Sequence, residues 1–289
     1  MEPVFSAAAN PDGASVVHSS QLRQTCRLRL VGDWHAADDD ARGEPYRQYS
    51  CRMAQWPHPL ENLRAAIAGE GTPPPDQVLL LGDLLSFPTE KGVELASEIL
   101  YSAPYPCAYT AGNHDWHYEG LPGPETDLRA EWTAKRLLPL YGGRNPLFYA
   151  FTVAGVKILM LDDSTYRILP EQLAALEREL ADGAPAVLGV HIPVHFPGLP
   201  GRVTSACGRP DWCAANDPYW EIERRERWPE SGVDATTKAF VDLVWHAENL
   251  LGVVAGHTHR FAFHTYRGKF QFVVASGRAH DLVLAPGEG

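Results

Sequence analysis

The chain has 289 residues, 45% of them hydrophobic and 21% charged, with 36 acids against 25 Lys plus Arg for a net charge of −11. This is the composition of a soluble globular protein, and it excludes a disordered chain, a collagen-like repeat and a long coiled coil. The acidic balance sets aside a protein built to grip a nucleic-acid backbone or an anionic bilayer, since both want clustered Lys and Arg.

In chain order, residues 1–24 hold no basic start followed by an apolar run, so they predict no signal peptide and read as a flexible tail. No apolar run approaches the roughly 18 residues of a membrane span, and the expected compartment is the cytoplasm. From 25 to 289 a single domain is expected. RLRLVGD (27–33), QVLLLGD (77–83) and YPCAYTAGN (105–113) each read as a short buried strand running into Gly and a polar residue. VKILMLDD (156–163), AVLGVH (186–191) and LLGVVAGH (250–257) also read as buried strands, each ending in a polar residue. Helical patterns lie at 59–70, 89–101, 127–140, 170–183 and 234–247. In the helix at 170, Pro takes the first position while Leu173, Leu176 and Leu180 repeat at helical spacing. Apolar strands alternating with helices predict an α/β layered fold. Residues 147–161 predict a hairpin around Ala154-Gly155. Residues 196–233 carry Pro, Gly and three Trp without periodicity, which marks a Trp-rich insertion of the kind used as a lid or binding loop. Residues 36–58 form a second irregular stretch, acidic at Asp38-Asp39-Asp40. Of the five Cys, Cys26 and Cys107 lie in apolar runs, and Cys207 and Cys213 are close enough in sequence to pair or to stay apart.

The chemistry stands where the strands end. Asp33 and His35 follow the first strand, Asp83 the second, Asn113, His114 and Asp115 the third, His191 a later one, and His257 and His259 the last. Ligands of open α/β sheets gather at the carboxyl ends of strands, so these segments are expected to converge. Imidazole and carboxylate bind zinc, iron and manganese, an amide oxygen can complete the shell, and a preceding Gly lets the chain turn sharply. Asp33, His35, Asp83, Asn113, His191, His257 and His259 are too many for one catalytic ion, which takes about three protein ligands plus water. Two metals roughly 3.5–4 Å apart would use them all. Asp83 is the expected bridge because it ends its strand with no second ligand beside it. His114 is left over beside the metals, where a general acid or an oxyanion donor is useful.

GDWH, GD, GNHD, a lone His after a strand and GHTH resemble the signature of the calcineurin-like metallophosphoesterase superfamily. The resemblance runs from about residue 27 to 280 and implies a four-layer α/β/β/α sandwich with mixed β-sheets and a two-metal site. Position by position it implies that Asp33, His35 and His259 hold the first metal, that Asn113, His191 and His257 hold the second, and that Asp83 bridges them. It further implies that His114 contacts the phosphate or protonates the leaving group, with Asp115 orienting it. The implied cofactors are two divalent ions, manganese, iron or zinc, in like or mixed pairs. The sequence departs from the protein Ser/Thr phosphatases of the superfamily, lacking the DRG extension after Asp83 and the Glu of GNHE. It departs from purple acid phosphatases too, because Leu84-Leu85-Ser86-Phe87 follows Asp83 with no Tyr. Cyclic-nucleotide phosphodiesterases and other small members fit the motifs better.

The implied activity is hydrolysis of a small phosphate ester, with a metal-bridging hydroxide attacking phosphorus in line with the leaving alcohol. A phosphodiester such as a cyclic nucleotide is slightly favoured over a phosphomonoester of a small metabolite. The expected partner is that substrate, with no membrane and with nucleic acid disfavoured, and the oligomeric state is left open. The rival reading is a non-catalytic metal-site scaffold, which the presence of every ligand type and His114 disfavours. Trp34, His117, His195, Arg202, Arg209 and Arg260 are secondary candidates near the ligands or in the insertion.

Overall fold

A computed structural model describes residues 5–37, 40, 42, 60–118, 123–200, 206–212 and 233–287. The strands, in chain order, are β1 (Phe5–Ala8), β2 (Ser15–Ser19), β3 (Cys26–Val31), β4 (Gln77–Leu81), β5 (Cys107–Thr110), β6 (Phe148–Val153), β7 (Val156–Leu161), β8 (Ala186–Gly189), β9 (Leu250–Ala255), β10 (Ala262–Tyr266), β11 (Lys269–Val273) and β12 (Ala279–Pro286). The helices are α1 (Leu60–Ala68), α2 (Glu90–Tyr101), α3 (Glu125–Trp132), α4 (Leu138–Tyr141), α5 (Pro170–Leu180) and α6 (Ala235–His246). A π-helical turn, Thr133–Leu137, joins α3 to α4 where one continuous helix is expected. Pro139 has no N–H to give that last turn, which breaks the regular ladder.

Two six-stranded mixed sheets result, ordered β1-β2-β12-β3-β4-β5 and β10-β11-β9-β8-β7-β6. Each strand has two faces, and the alternation sorts its side chains between two cores. On β4, Leu79 and Leu81 point into a cluster with Leu28 and Leu30 of β3 and with Ile158, Met160, Val187, Val254 and Phe272 of the other sheet. This is the inter-sheet core, and a Cβ added to Gly189 would fall within 2.7 Å of Met160 and 3.5 Å of Leu81. Val78 and Leu80 point the other way, into a cluster that includes Leu63 and Ile67 of α1 and Val93, Ala96 and Ile99 of α2. Leu159, Leu188 and Val253 likewise share a cluster with Leu176 of α5 and Phe240 and Val244 of α6. The layers are therefore helix, sheet, sheet, helix. Thr89 caps α2 by accepting from Gly92 N (3.1 Å), and Asp234 caps α6 by accepting from Thr237 N (2.8 Å).

The N-terminal segment corrects the expectation. Within the expected tail 1–24, β1 pairs antiparallel with β2, and β2 lies parallel to β12 with Leu282 opposite Ser15 and Pro286 opposite Ser19. The reason is non-local: the partner strand ends the chain, and β2 buries Ser15, Val17 and Ser19, of which only Val17 gives an apolar signal. The hairpin at 147–161 is present as β6 and β7, with positive φ at Ala154 and Gly155. A second hairpin, β10 to β11, turns through Arg267 (φ 51°) and Gly268 (φ 70°). Its two strands are not among those expected from the sequence. Cys26 and Cys207 are buried free thiols, Cys107 is a half-buried one, and Cys213 lies outside the described residues. So do most of the acidic stretch 36–58 and, within the Trp-rich insertion, residues 201–205 and 213–232.

Candidate metal centre

Five strands, β3, β4 and β5 of one sheet and β8 and β9 of the other, bring their carboxyl ends to one place. The seven residues expected to hold metal all meet there, drawn from both sheets. Ligand atoms of Asp33, His35, Asp83 and His259 lie within 4.8 Å of one another, and so do those of Asp83, His191 and His257. Asp83 belongs to both groups. Asn113 joins the second, its Oδ1 being 3.1 Å from His191 Nε2.

The backbone that carries these side chains is strained. Asp33 (φ 50°), His35 (49°), Asp83 (49°), His257 (71°) and His259 (59°) all lie in the left-handed region, which costs a non-glycine residue roughly 1–3 kcal/mol each. The turns expected at the preceding glycines are thus made by the polar residues themselves. Only Gly82 among those glycines has positive φ (81°). Gly112 serves another purpose, since a Cβ there would overlap Asp83 Oδ1 and the Asp83 backbone N. At Gly256 a Cβ would fall 2.5 Å from Asp33 Oδ2. These glycines clear space for carboxylates.

Hydrogen bonds hold the loops in register. Asp33 N donates to Gly82 O (3.0 Å) and His35 N to Asp83 O (2.8 Å), continuing the β3–β4 pairing past the strand ends. Asp83 Oδ1 accepts His114 N at 2.8 Å. Ser86 Oγ donates to His35 O (2.9 Å) and Ser276 Oγ to Asp33 O (2.6 Å). His191 Nδ1 faces Leu81 O at 2.8 Å, which turns Nε2 toward Asp83 Oδ2 at 3.2 Å.

The donor set is one that cations satisfy and protons do not. His35 Nε2 and His259 Nε2 face each other at 2.9 Å, with Asp83 Oδ2 3.7 Å from His35 and Asp33 Oδ1 3.5 Å from His259. Around His191 Nε2 stand Asp83 Oδ2, Asn113 Oδ1 and His257 Nδ1 at 3.1–3.2 Å. Each imidazole nitrogen carries at most one proton, so several lone pairs in each group converge with too few protons between them. All of these residues but His259 are at most 1% exposed. Burial therefore dominates their protonation. It holds Asp33 well above the usual carboxylate range, opposed by His191 and reinforced by Asp83. It holds His35 and His257 well below the imidazole range and takes His259 down to about 4. At Asp83 burial is overcome by the charges of His191 and His114, which keep it low. At His191 burial is overcome by Asp83 and Asp33, which raise it to about 10. Positive charge is drawn to the spot that Asp83 and His191 share.

His114 is half-buried beside the pair, its ring edge-on to His35 at 4.7 Å between centroids. Asp115 does not meet the expectation that it orients this ring. Its Oδ1 accepts Leu85 N and its Oδ2 accepts Gly112 N, both at 2.8 Å. A wholly buried carboxylate is held by the backbone amides nearest to it, and here these lie in the loops after β4 and β5. Burial and then the Asp83 charge push it up to about 7.

Among the secondary candidates, Trp34 is a core side chain, and His117 is buried edge-on to Trp116. His195 gives its carbonyl to Trp245 Nε1 (2.7 Å), Arg209 pairs with Asp211 (2.7 Å), Arg260 is exposed, and Arg202 lies outside the described residues. Two residues that the sequence reading did not select join the site. Asp163 Oδ1 accepts both His191 N and Ile192 N at 3.0 Å, and Tyr166 Oη lies 2.5 Å from His257 Nε2. Asp163 carried a signal, a strand running into acid as at Asp33 and Asp83. Tyr166 carried none.

No curated protein matches the sequence. A dimetal phosphatase from Danio rerio is 14% identical, with 88% of each chain covered and a TM-score of 0.51, a likeness of fold. A phosphopantetheinyl hydrolase from Mycobacterium tuberculosis is 14% identical over 88% of this chain and 91% of its own (TM-score 0.43). GAP50, the anchor in the inner membrane complex of Plasmodium, is 13% identical over 88% and 73% (TM-score 0.46). Among the described residues no helix is long and apolar enough to cross a membrane. The model of the calcineurin-like phosphoesterases matches residues 26–261, a span that holds all seven residues expected to hold metal and His114, and the chain belongs to that family of metal-dependent phosphate-ester hydrolases.

Proposed function

We propose that the chain hydrolyses a small phosphodiester, such as a cyclic nucleotide, with two divalent ions drawn from manganese, iron and zinc. The observation that carries this reading is the pair of donor groups sharing Asp83. Asp33, His35 and His259 would hold one ion, Asn113, His191 and His257 the other, and Asp83 both. When bound, such a pair supplies an activated water and neutralises phosphoryl oxygens.

The chain's own residues do the rest. His114, the half-buried imidazole at the rim, contacts the phosphate and gives a proton to the leaving oxygen. Its backbone N–H, fixed on Asp83 Oδ1, holds the residue in place. Asp115 positions the two loops that bear Asp83 and Asn113 by accepting from both. The diester preference rests on the motif set, which lacks the DRG extension of the protein Ser/Thr phosphatases and the Tyr of the purple acid phosphatases.

Metal analysis followed by a substrate panel tests the reading. Two equivalents of metal are expected, with faster hydrolysis of bis-nitrophenyl phosphate and cyclic nucleotides than of nitrophenyl phosphate. Faster monoester hydrolysis would overturn the diester assignment. No hydrolysis of any ester with manganese or iron supplied would leave the scaffold reading instead.

A further inference from the structure

We propose that Tyr166 is the positioning residue for the His257 imidazole, and that through Trp212 it ties residues 206–212 to the metal centre. This rests on the assignment of His257 to a metal. The two nitrogens of His257 are divided between two neighbours: Nδ1 faces His191 Nε2 at 3.2 Å, on the side where donor atoms converge, and Nε2 faces Tyr166 Oη at 2.5 Å. A metal-ligating imidazole characteristically hands its second N–H to an oxygen behind it, which sets both the tautomer and the ring plane. The Tyr166 hydroxyl oxygen stands where that acceptor belongs.

Tyr166 is itself held from three directions. Its backbone is left-handed (φ 59°), and its N–H donates to Asp163 O at 2.8 Å. Asp163 also accepts the N–H of His191, so one turn after β7 fixes Tyr166 and a second metal-side residue together. The Tyr166 carbonyl accepts Cys207 Sγ at 3.9 Å, and its ring stacks on Trp212 at 3.9 Å between centroids and 14° between planes. Cys207 and Trp212 belong to the described part of the insertion, which is anchored by the bridge between Val194 and Cys207. Tyr166 and Trp212 are 4% and 6% exposed, so the stack is part of the wall behind His257 and not a surface contact. Residues 206–212 therefore act on the centre by fixing the orientation of one ligand.

Mn²⁺ titration by calorimetry distinguishes this role from simple packing. Tyr166→Phe keeps the ring and its stack but removes the oxygen facing Nε2. Of the two sites filled in the wild-type chain, one is expected to weaken about 10- to 100-fold and the other to stay unchanged. In a His35→Ala background, which leaves the site that His257 serves, Tyr166→Phe is expected to weaken the remaining Mn²⁺ by the same factor. Trp212→Ala is expected to weaken that site as well, and Trp212→Phe to restore it. Wild-type affinities at both sites in Tyr166→Phe would overturn the proposal, as would equal weakening of the two. A wild-type chain that takes up fewer than two Mn²⁺ would overturn the assignment beneath it.

Discussion

The Asp33 carboxylate accepts the backbone N–H of His257 with both oxygens, at 2.9 and 2.8 Å. Asp33 follows β3 in one sheet and His257 follows β9 in the other, so this contact locks the two halves of the site across the inter-sheet core. It also explains the exclusion of any Cβ at Gly256, which lies against the same carboxylate. The donor groups are thereby prearranged by a carboxylate that belongs to one of them.

Because Asp83 belongs to both donor groups, its loss is expected to act on both ions. Asp83→Ala should lower metal content and activity together, read by elemental analysis beside turnover of bis-nitrophenyl phosphate. A variant that keeps two equivalents of metal would remove Asp83 from the bridge.

His114 touches the site through its ring edge and its backbone and lies in neither donor group. His114→Ala is expected to retain both ions while the rate falls about 10²- to 10⁴-fold, the usual worth of a general acid. The loss should be larger for esters with poor leaving groups than for nitrophenyl esters. An equal loss across leaving groups would assign His114 to phosphate contact alone.

His280 sets a pH dependence away from the centre. Its ring packs against Phe261 and Phe272, its Nε2 accepts Ala275 N at 3.2 Å, and burial takes it down to about 4. In the unfolded chain it titrates near 6.5, so between those values the unfolded state binds the extra proton. Its contribution is full above pH 6.5 and is lost as the pH falls through 4, on the order of 2–3 kcal/mol. Urea unfolding of metal-free protein from pH 7.5 to 4.5 should show a shallower decline for His280→Gln than for wild type. Parallel curves would refute the assignment.

Arg29 carries a stability prediction. Its guanidinium is 2% exposed, pairs with Asp281 of β12 at 2.8 Å, and donates to the carbonyls of Ile67 and Ala68 at the end of α1 (both 3.1 Å). Gly69 follows in a left-handed C-cap that leaves room for this guanidinium. Arg29→Leu is expected to cost about 3 kcal/mol, because it strands both the carboxylate and the helix carbonyls. Asp281→Asn should cost less, since that side chain is 23% exposed. Denaturant midpoints at constant slope measure both.

The sequence by itself determined the buried strands β3, β4, β5, β8 and β9 and the polar residues that stand at their ends. Both are written locally, the strands as continuous apolar runs and the chemistry as polar residues beside a glycine. It also determined α1, α2, α5 and α6 through their apolar periodicity. Tertiary structure alone decided the N-terminal strands, because β2 is recruited by β12 from the far end of the chain and carries Ser where a local reading looks for apolar residues. It alone decided that Asp115 serves backbone amides instead of His114, since a buried carboxylate takes the nearest N–H groups and their positions follow from chain packing. It alone brought Tyr166 to His257 from 91 positions away, through a left-handed turn and an aromatic stack that no sequence period encodes. Residue types are local properties of the chain, whereas the partner of each polar atom is settled only when the two sheets close on one another.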